Sequence, residues 1–599
     1  MSYSSDYRKI HGKLEIIYTD SDKSFELDAQ VSGNALYSYP SQVSGGYLVP
    51  TVKALTMDGN STMGGGHQLI GGNLVMGWWS DVASDENGDF VNPPWLKLDF
   101  IARPVETWTI IGDSKLNQYP IDFKLELFDK QGNIMVSDMI TNNQLVSYQH
   151  KFSQVYYDVV GLKITIYKWT HPNAKAKILQ CFDSLKEDYE QSELKQFEVV
   201  EELATDSEGV SYGINSNCFS VTIYNKERKF DQGYLKDLLL LDRKVTPFIG
   251  IENDDGEVEF TSLGTFYSDS WEVPQTDQWA KVKCYDRLLK FQKTTYVGYP
   301  YTQNVSLYDL AEDILKSAKL KDDEYIIDED LRKLTVDYAF LGKQSVWDAL
   351  QDVCNAGLCR VYADRQNRVI VSVEHLDVDP SGIEINPSKM FKFEKETKIT
   401  DFSNSVEVSY TDINASETTT EVVYSNKITI DPHSTRTMIV DYSQTVKDAF
   451  LSYTPLDDVK LNFFQTSINS AKFELENTSD RSIVANVEIT GVIISISTQT
   501  VVVQDKDSVQ KYGEMAYKHP VSNLVQSYSR AIEIGEYFLR TLSQKTGMLK
   551  IEWRGDPALK LEDKFVCEDR FKNSSNYITQ YSRFSYDGGL KQEVKAKEV

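Results

Sequence analysis

The sequence predicts a mainly β chain of several domains, with one mixed α/β segment set between β-rich blocks. Three observations predict it. The 599 residues are too many for one hydrophobic core, and length alone corresponds to about four domains. Aromatic residues make up 12%, with 35 Tyr and 26 Phe, and Val, Ile and Thr recur in short runs, a bias that favours strands. Many of those runs alternate apolar and polar residues between Gly, Asn and Pro, as half-buried strands do.

Along the chain, KLEIIYTD (13–20) reads as a strand and is followed by a Gly/Ser/Asn-rich region to about residue 75. WLKLDFIA, TWTIIGD, DFKLELFDKQGNI and VVGLKITIYKW then alternate in the manner of a β-sandwich, and the acidic FDSLKEDYEQSELKQ (182–196) reads as a helix closing the block. A second β-rich block runs from about 197 to 300, with a tight hairpin turn at Asp255-Gly256. Within it YLKDLLLLDR (234–243) is either a helix or a buried strand.

Residues 301–395 mix helix and strand. Ser306 with Asp309, and Ser345 with Asp348, resemble capping boxes with Asp in place of Glu. The first opens a helix carrying Leu307, Leu310, Ala311, Ile314 and Leu315 on one face; the second opens one that stops at Gly357, a natural C-cap. CRVYADRQNRVIVSVE reads as a hairpin. From 396 onward the chain is again rich in Thr, Val and Ile, interrupted by its longest helical pattern, SYSRAIEIGEYFLRTLSQK (527–545). No low-complexity linker separates the blocks, which favours one compact body.

Composition excludes several functions. With 63 basic and 89 acidic residues the formal net charge is −26, so phosphate backbones are repelled and no basic, aromatic-interleaved patch offsets this. The charge reads either as a solubility device or as the negative wall of a conduit. Cys181, Cys218, Cys284, Cys354, Cys359 and Cys567 are too scattered for a disulfide framework, and CNAGLC has no metal-ligand spacing. No apolar stretch has the length of a signal peptide or a membrane span, so synthesis in a cytoplasm is expected, with release by lysis. The seven histidines form no metal-spaced pair, and no nucleophile elbow, P-loop or dinucleotide fingerprint is present. No catalytic, cofactor or metal residue is assigned, and no cofactor is expected.

Three weaker features have competing readings. Gly64, Gly65 and Gly66 before His67 read as a flexible loop rather than a phosphate cradle. Asp85, Asn87 and Asp89 space oxygens as a calcium loop does, but the glycine comes too early and the twelfth-position Glu is absent, leaving a solvated acidic turn. Trp78, Trp79 and Trp95 fill a sandwich core or stack on sugar rings, with the core reading preferred.

Two resemblances follow from motifs. GWWSD (77–81), PPWLKLDF (93–100), IIGDSKLNQYPIDFKLELFD (110–129) and GLKITIYKW (161–169) are similar to discoidin-like, galactose-binding-fold domains over roughly 35–195. That resemblance implies a jelly-roll sandwich whose end loops bind carbohydrate, with a cell-surface glycan as partner and no ligand residue transferable. The remainder resembles phage tail hub and tail-associated (Tal-like) proteins. The motifs are Asn215 to Asn225 with Arg228-Lys-Phe-Asp231, Arg243 to Ile251, Leu263 to Tyr267 and Cys284 to Leu289, followed by Leu334 to Phe340 with the Ser345 helix, Asp507 to Gly513, Arg554-Gly-Asp-Pro557 and Tyr586 to Leu590. Their order over about 400 residues carries the resemblance.

The resemblance implies a mainly β (α+β) chain with two tube-like antiparallel β-barrels, a small α/β domain and an inserted jelly-roll sandwich. Residues 1–34 and 196–300 form the first hub barrel, 35–195 the insert, 301–395 the α/β domain, and 396–599 the second barrel with a long helix at about 526–545. It implies a non-enzymatic baseplate hub subunit: a homotrimer adapting a hexameric tail tube protein to a threefold spike or tip protein, with neighbouring baseplate proteins around it. A contractile tail or a phage-tail-like bacteriocin is favoured. No sequence-specific nucleic acid is expected as a partner. The chain stops at Val599 soon after the last motif, which places any cell-wall cleavage on another chain. The competing reading is a carbohydrate-binding adhesin, a receptor-binding tail protein acting through the sandwich.

Overall fold

The structure is a computed structural model. It describes residues 8–17, 28–33, 36–37 and 78–599, apart from 114–115, 179, 185, 205–209, 227, 232–241, 254, 301, 376–378, 397–401, 415–417, 456 and 544–547. The Gly64–His67 loop and most of the 234–243 run therefore lie outside the described residues. The chain is mainly β, as the composition predicts.

The first strand, β1 (Ile10–Ile17), buries Leu14 and Ile16 through its two-residue alternation. The chain then enters a sandwich through β2 (Asp28–Val31), which pairs with β3 (Trp95–Ile111). β3 pairs in turn with β4 (Ser147–Trp169) and with β5 (Gln180–Ser184). Inward-facing Leu96, Leu98, Leu125, Leu127, Leu162, Ile164 and Trp169 build a core of their own. Immediately after β5 the chain leaves: β6 (Lys186–Tyr189) pairs with β1, Leu14 opposite Tyr189 and Ile17 opposite Lys186. Entry and exit are thus two antiparallel strands side by side.

This corrects the expected helix at 182–196. Its Glu, Lys, Leu and Gln content favours a helix, but propensity is a weak prior, and both edges offered to this segment are strands. β3 takes the backbone of Gln180–Ser184 and β1 that of Lys186–Tyr189.

The next strands are β7 (Leu194–Glu202), β8 (Cys218–Tyr224), β9 (Lys244–Glu252), β10 (Val258–Ser262), β11 (Phe266–Glu272) and β12 (Trp279–Tyr285). An α/β unit follows. Its helices α1 (Leu307–Ser317) and α2 (Val346–Gly357) begin where the capping boxes predict, with the Ser306 and Ser345 hydroxyls accepting from the Asp309 and Asp348 amides. α2 ends one residue later than expected. Leu358, not Gly357, takes the left-handed conformation, at φ 54°, because Gly357 is packed against Leu307 and Leu331 inside the helix. β13 (Arg360–Ala363) and β14 (Val369–Ser372) form the predicted hairpin.

Beyond it lie β15 (Pro380–Ile385), β16 (Met390–Glu396) and a long ribbon, β17 (Ser405–Asn414) paired with β18 (Ser495–Gln504). Helix α3 (Tyr528–Leu542) packs across that ribbon, with Gly535 so close to Val503 that an added Cβ would lie 2.6 Å from it. Between the ribbon strands, Thr420–Ile493 forms two three-stranded sheets around a separate core that includes Phe473, Leu475, Val487 and Ile489. The chain closes with β19 (Met548–Trp553), β20 (Lys564–Glu568), β21 (Ser574–Tyr586) and β22 (Leu590–Glu598).

The two β-rich halves, nearly 400 residues apart in sequence, run into one another as one 14-stranded sheet. Its main path is β6-β1-β9-β11-β12-β8-β7-β21-β22-β19-β16, with β10 beside β9, and β20 and β15 beyond β21. β21 belongs to both halves. Its early residue Tyr577 packs in a core with Phe565, Ile551 and Trp553, and its late residues Phe584 and Tyr586 pack with Phe197, Phe219 and Val221.

Four tight turns, three of them within β-hairpins, repeat one device. In Asp85–Asp89, Asp129–Asn133, Asn253–Glu257 and Asp569–Asn573 the first side chain accepts from the amides two and four residues on. The fourth residue is left-handed in each: Gly88, Gly132 and Gly256, but Lys572 in the last.

Candidate assembly sites

The sheet joint holds a buried polar network. Along β7 the buried parity runs Phe197, Val199, Glu201, so a carboxylate occupies a core position. It is met there by Arg365, from the β13–β14 turn, whose Nε and Nη2 each donate to one Glu201 oxygen at 2.7 Å. The same guanidinium donates to the carbonyls of Pro557 and Leu559, before β20, and lies over the Phe584 ring. A bidentate arginine thereby ties the first half, the second half and the α/β unit together at one buried point.

A second buried arginine sits nearby. Arg360 donates to Glu562 and Glu374, each at 2.9 Å, and to the carbonyl of Ser211. Lys597 of the last strand and the Tyr537 hydroxyl of α3 also donate to Glu374. Burial alone would raise the Glu374 carboxyl, but Lys597 and Arg360 outweigh it and hold it below its ordinary value. Asp286 caps the turn after β12, accepting from Ser216, Asn217 and Leu288. Burial nevertheless pushes its pKa up to about 6.

On the opposite face of the joint, Gln196, Glu198, Ser220, Thr222, Lys281 and Lys591 border a shallow hollow of about 340 Å³. Both signs of charge meet there, so this face is not a uniformly negative wall.

The features singled out in the sequence fall elsewhere. Trp78 and Trp79 are buried in the sandwich, and Trp95 is half-buried beneath the Lys163 ammonium. Asp85 spends one oxygen on the Asn87 and Asp89 amides, and Asp89 pairs with Lys168, so the calcium-like spacing belongs to a tight turn. Cys354 and Cys359 are buried, and burial pushes the Cys354 thiol well up. His519 is buried with Nε2 against the Asn355 carbonyl, and burial lowers its pKa to about 4.

One grouping has no signal in the sequence: Asp328, Asp330 and His375 bring three potential ligand atoms within 4.8 Å, across 47 residues. Those atoms are already engaged. Asp328 accepts from the Asp330 and Val373 amides and from His375, and Asp330 pairs with Lys333. The cluster caps a turn.

No protein-family model and no curated protein matches the chain. Solved structures do. A tail protein from Neisseria meningitidis MC58 aligns at 9% identity over 69% of this chain and 94% of its own, with a TM-score of 0.39. A 43 kDa tail protein of prophage MuSo2 from Shewanella oneidensis aligns at 11% identity, over 68% and 95%, with a TM-score of 0.39. A family 32 carbohydrate-binding module of C. perfringens NanJ, solved with galactose, aligns at 15% identity over 29% of this chain and 99% of its own, with a TM-score of 0.19. The structural neighbours of the chain are phage tail and baseplate proteins, with carbohydrate-binding, discoidin-like domains over part of its length.

Proposed function

We propose that this chain is a non-enzymatic hub subunit of a phage baseplate or phage-tail-like particle. Three copies form a ring that joins a hexameric tail tube to a threefold spike or tip. The observation that carries the reading is β21, a single strand shared by two sheet halves with separate cores. One chain thereby supplies two joined sheet units, and three copies would supply six around a threefold axis. Closed cyclic assembly is the economical way to match the two symmetries. The ordered hub-like motifs from Asn215 to Leu590 agree with it.

In this reading the tube protein, the spike protein and neighbouring baseplate proteins are the partners, in a contractile tail or bacteriocin released by lysis. Native mass measurement tests it: the purified full chain forms a species of three chain masses, whereas a monomer at all concentrations contradicts the ring.

The second reading, a carbohydrate-binding adhesin, is favoured by the sandwich having its own core and being joined through neighbouring entry and exit strands. It requires glycan binding by the full chain that is lost when the sandwich is excised, together with a monomeric state.

A further inference from the structure

Two hairpins of the large sheet carry opposite, unspent charge. The β20–β21 tip presents Arg570, Phe571 and Lys572, all exposed, with Phe571 86% exposed; of the carboxylates beside them, Asp569 is spent on the Phe571 and Asn573 amides and Glu568 is half-buried. The β9–β10 tip presents Asp255, Glu257 and Glu259, also exposed, beside Phe260 at 44% exposure over Gly250. Among the described residues none of these five charged side chains has an ion-pair partner, although neighbouring charges on the same sheet are paired, as in Lys591 with Glu552 and Lys550 with Glu593.

The turns themselves are alike, which makes their one difference informative. Three of the four equivalent turns place glycine at the left-handed position; the basic tip places Lys572 there at φ 68°. A non-glycine residue in that region costs about 1 kcal/mol. The basic side chain thereby stands at a position where the three sister turns carry none.

We infer that the basic β20–β21 tip of one copy docks onto the acidic β9–β10 hairpin of the next copy, Phe571 against Phe260. Charge complementarity selects the occupant: between copies of net charge −26 the long-range repulsion is offset where an unpaired basic surface meets an unpaired acidic one. The two surfaces are distinct, so the contact is heterologous and propagates head to tail, as the copies of a cyclic ring require. Each hairpin has one strand off the main path of the sheet, β10 beside β9 and β20 beside β21. One belongs to each half, as a contact linking the second half of one copy to the first half of its neighbour requires. The inference rests on the proposed ring and specifies its contact.

The test is a charge swap in the full chain, read by native mass across a dilution series. Arg570→Glu with Lys572→Glu weakens trimer formation by about tenfold or more, and Asp255→Lys with Glu257→Lys does the same. Combining the four substitutions restores the wild-type midpoint, and added salt weakens the wild-type trimer. Single-side reversals that leave the trimer as tight as wild type would overturn the contact while leaving the ring standing. So would a fourfold variant no tighter than either pair. A wild-type monomer at all concentrations overturns the ring and the contact together. A photo-crosslinker at position 571 joins two copies of this chain within assembled particles; a crosslink solely to another protein, to lipid or to nucleic acid contradicts the inference.

Discussion

Two bodies are inserted in the chain, each between the strands of an antiparallel ribbon, one ribbon in the large sheet and one outside it, and they are held differently. The sandwich hangs on β1 and β6, with Lys229–Glu187 at the ribbon and Val155 of β4 packed against the sheet core. The Thr420–Ile493 body hangs on β17 and β18 but is also locked sideways onto the α/β unit. There Ser470 donates to the Val297 carbonyl, Asn469 accepts from the Lys343 amide, and Lys343 pairs with Asp441. Gly298 and Gly342 let the two backbones approach: a Cβ on Gly298 would lie 2.5 Å from Ser467, and one on Gly342 2.3 Å from Asn469. Ser467 and Ser470 are buried, so the lock excludes water.

Buried polar contacts demand one geometry, whereas strand pairing with partly exposed ion pairs leaves more freedom. The lesson is that the locked body is part of the frame, while the sandwich is an attachment that can be added or lost without redesigning it. An outward-facing adaptor suits the second kind of joint.

Unfolding experiments can break or sharpen this contrast, and each reads which transition moves. Arg365→Ala leaves Glu201 buried without its partner and destabilises the frame by about 3–5 kcal/mol, while the sandwich transition stays put. Hydrogen exchange resolved by peptide checks this; equal loss of protection in the sandwich core would dissolve the distinction.

Gly298→Ala meets both a left-handed backbone, φ 106°, and the Ser467 clash, and costs about 2–4 kcal/mol. Protection should fall in Thr420–Ile493 first. A variant as stable as wild type would show that the lock is dispensable.

Titration of Asp286 has a smaller effect. Its folded pKa of about 6 exceeds the ordinary 3.8, so its stabilising contribution is complete below pH 4 and is lost as pH rises through 6. Relative to Asp286→Asn, the wild-type frame loses roughly 1–3 kcal/mol across that window, and the sandwich does not respond. A flat difference between pH 4 and 7 contradicts this.

The smallest effect has the opposite sign. Lys572→Gly relieves the left-handed position in the β20–β21 turn, where the side chain is exposed, and raises stability by about 0.5–1 kcal/mol in denaturant titration.

The contrast also explains what could be read beforehand. Local chemistry was legible: Ser306 and Ser345 announce their helices, and Asp255-Gly256 its turn, because cap and turn preferences act within four residues. The basic tip escaped notice since Lys572 stands where glycine would have marked the turn. Composition misread 182–196, where the partner strands β1 and β3 decide the backbone. Nothing in the sequence sets off Thr420–Ile493 from its flanks, because its strands have the same Thr/Val/Ile character as the ribbon around them. The joint was illegible for a different reason. Glu201 and Arg365 are 164 residues apart, and an acidic residue at a core parity reads as a strand edge until its arginine is seen.

The ring remains the central claim, and imaging the tip of purified particles by electron cryomicroscopy tests it most directly. The account predicts three copies of this chain around one axis, their sheets continuing a tube and their sandwiches on the outer rim. A single copy, or copies arranged without a threefold axis, would contradict it.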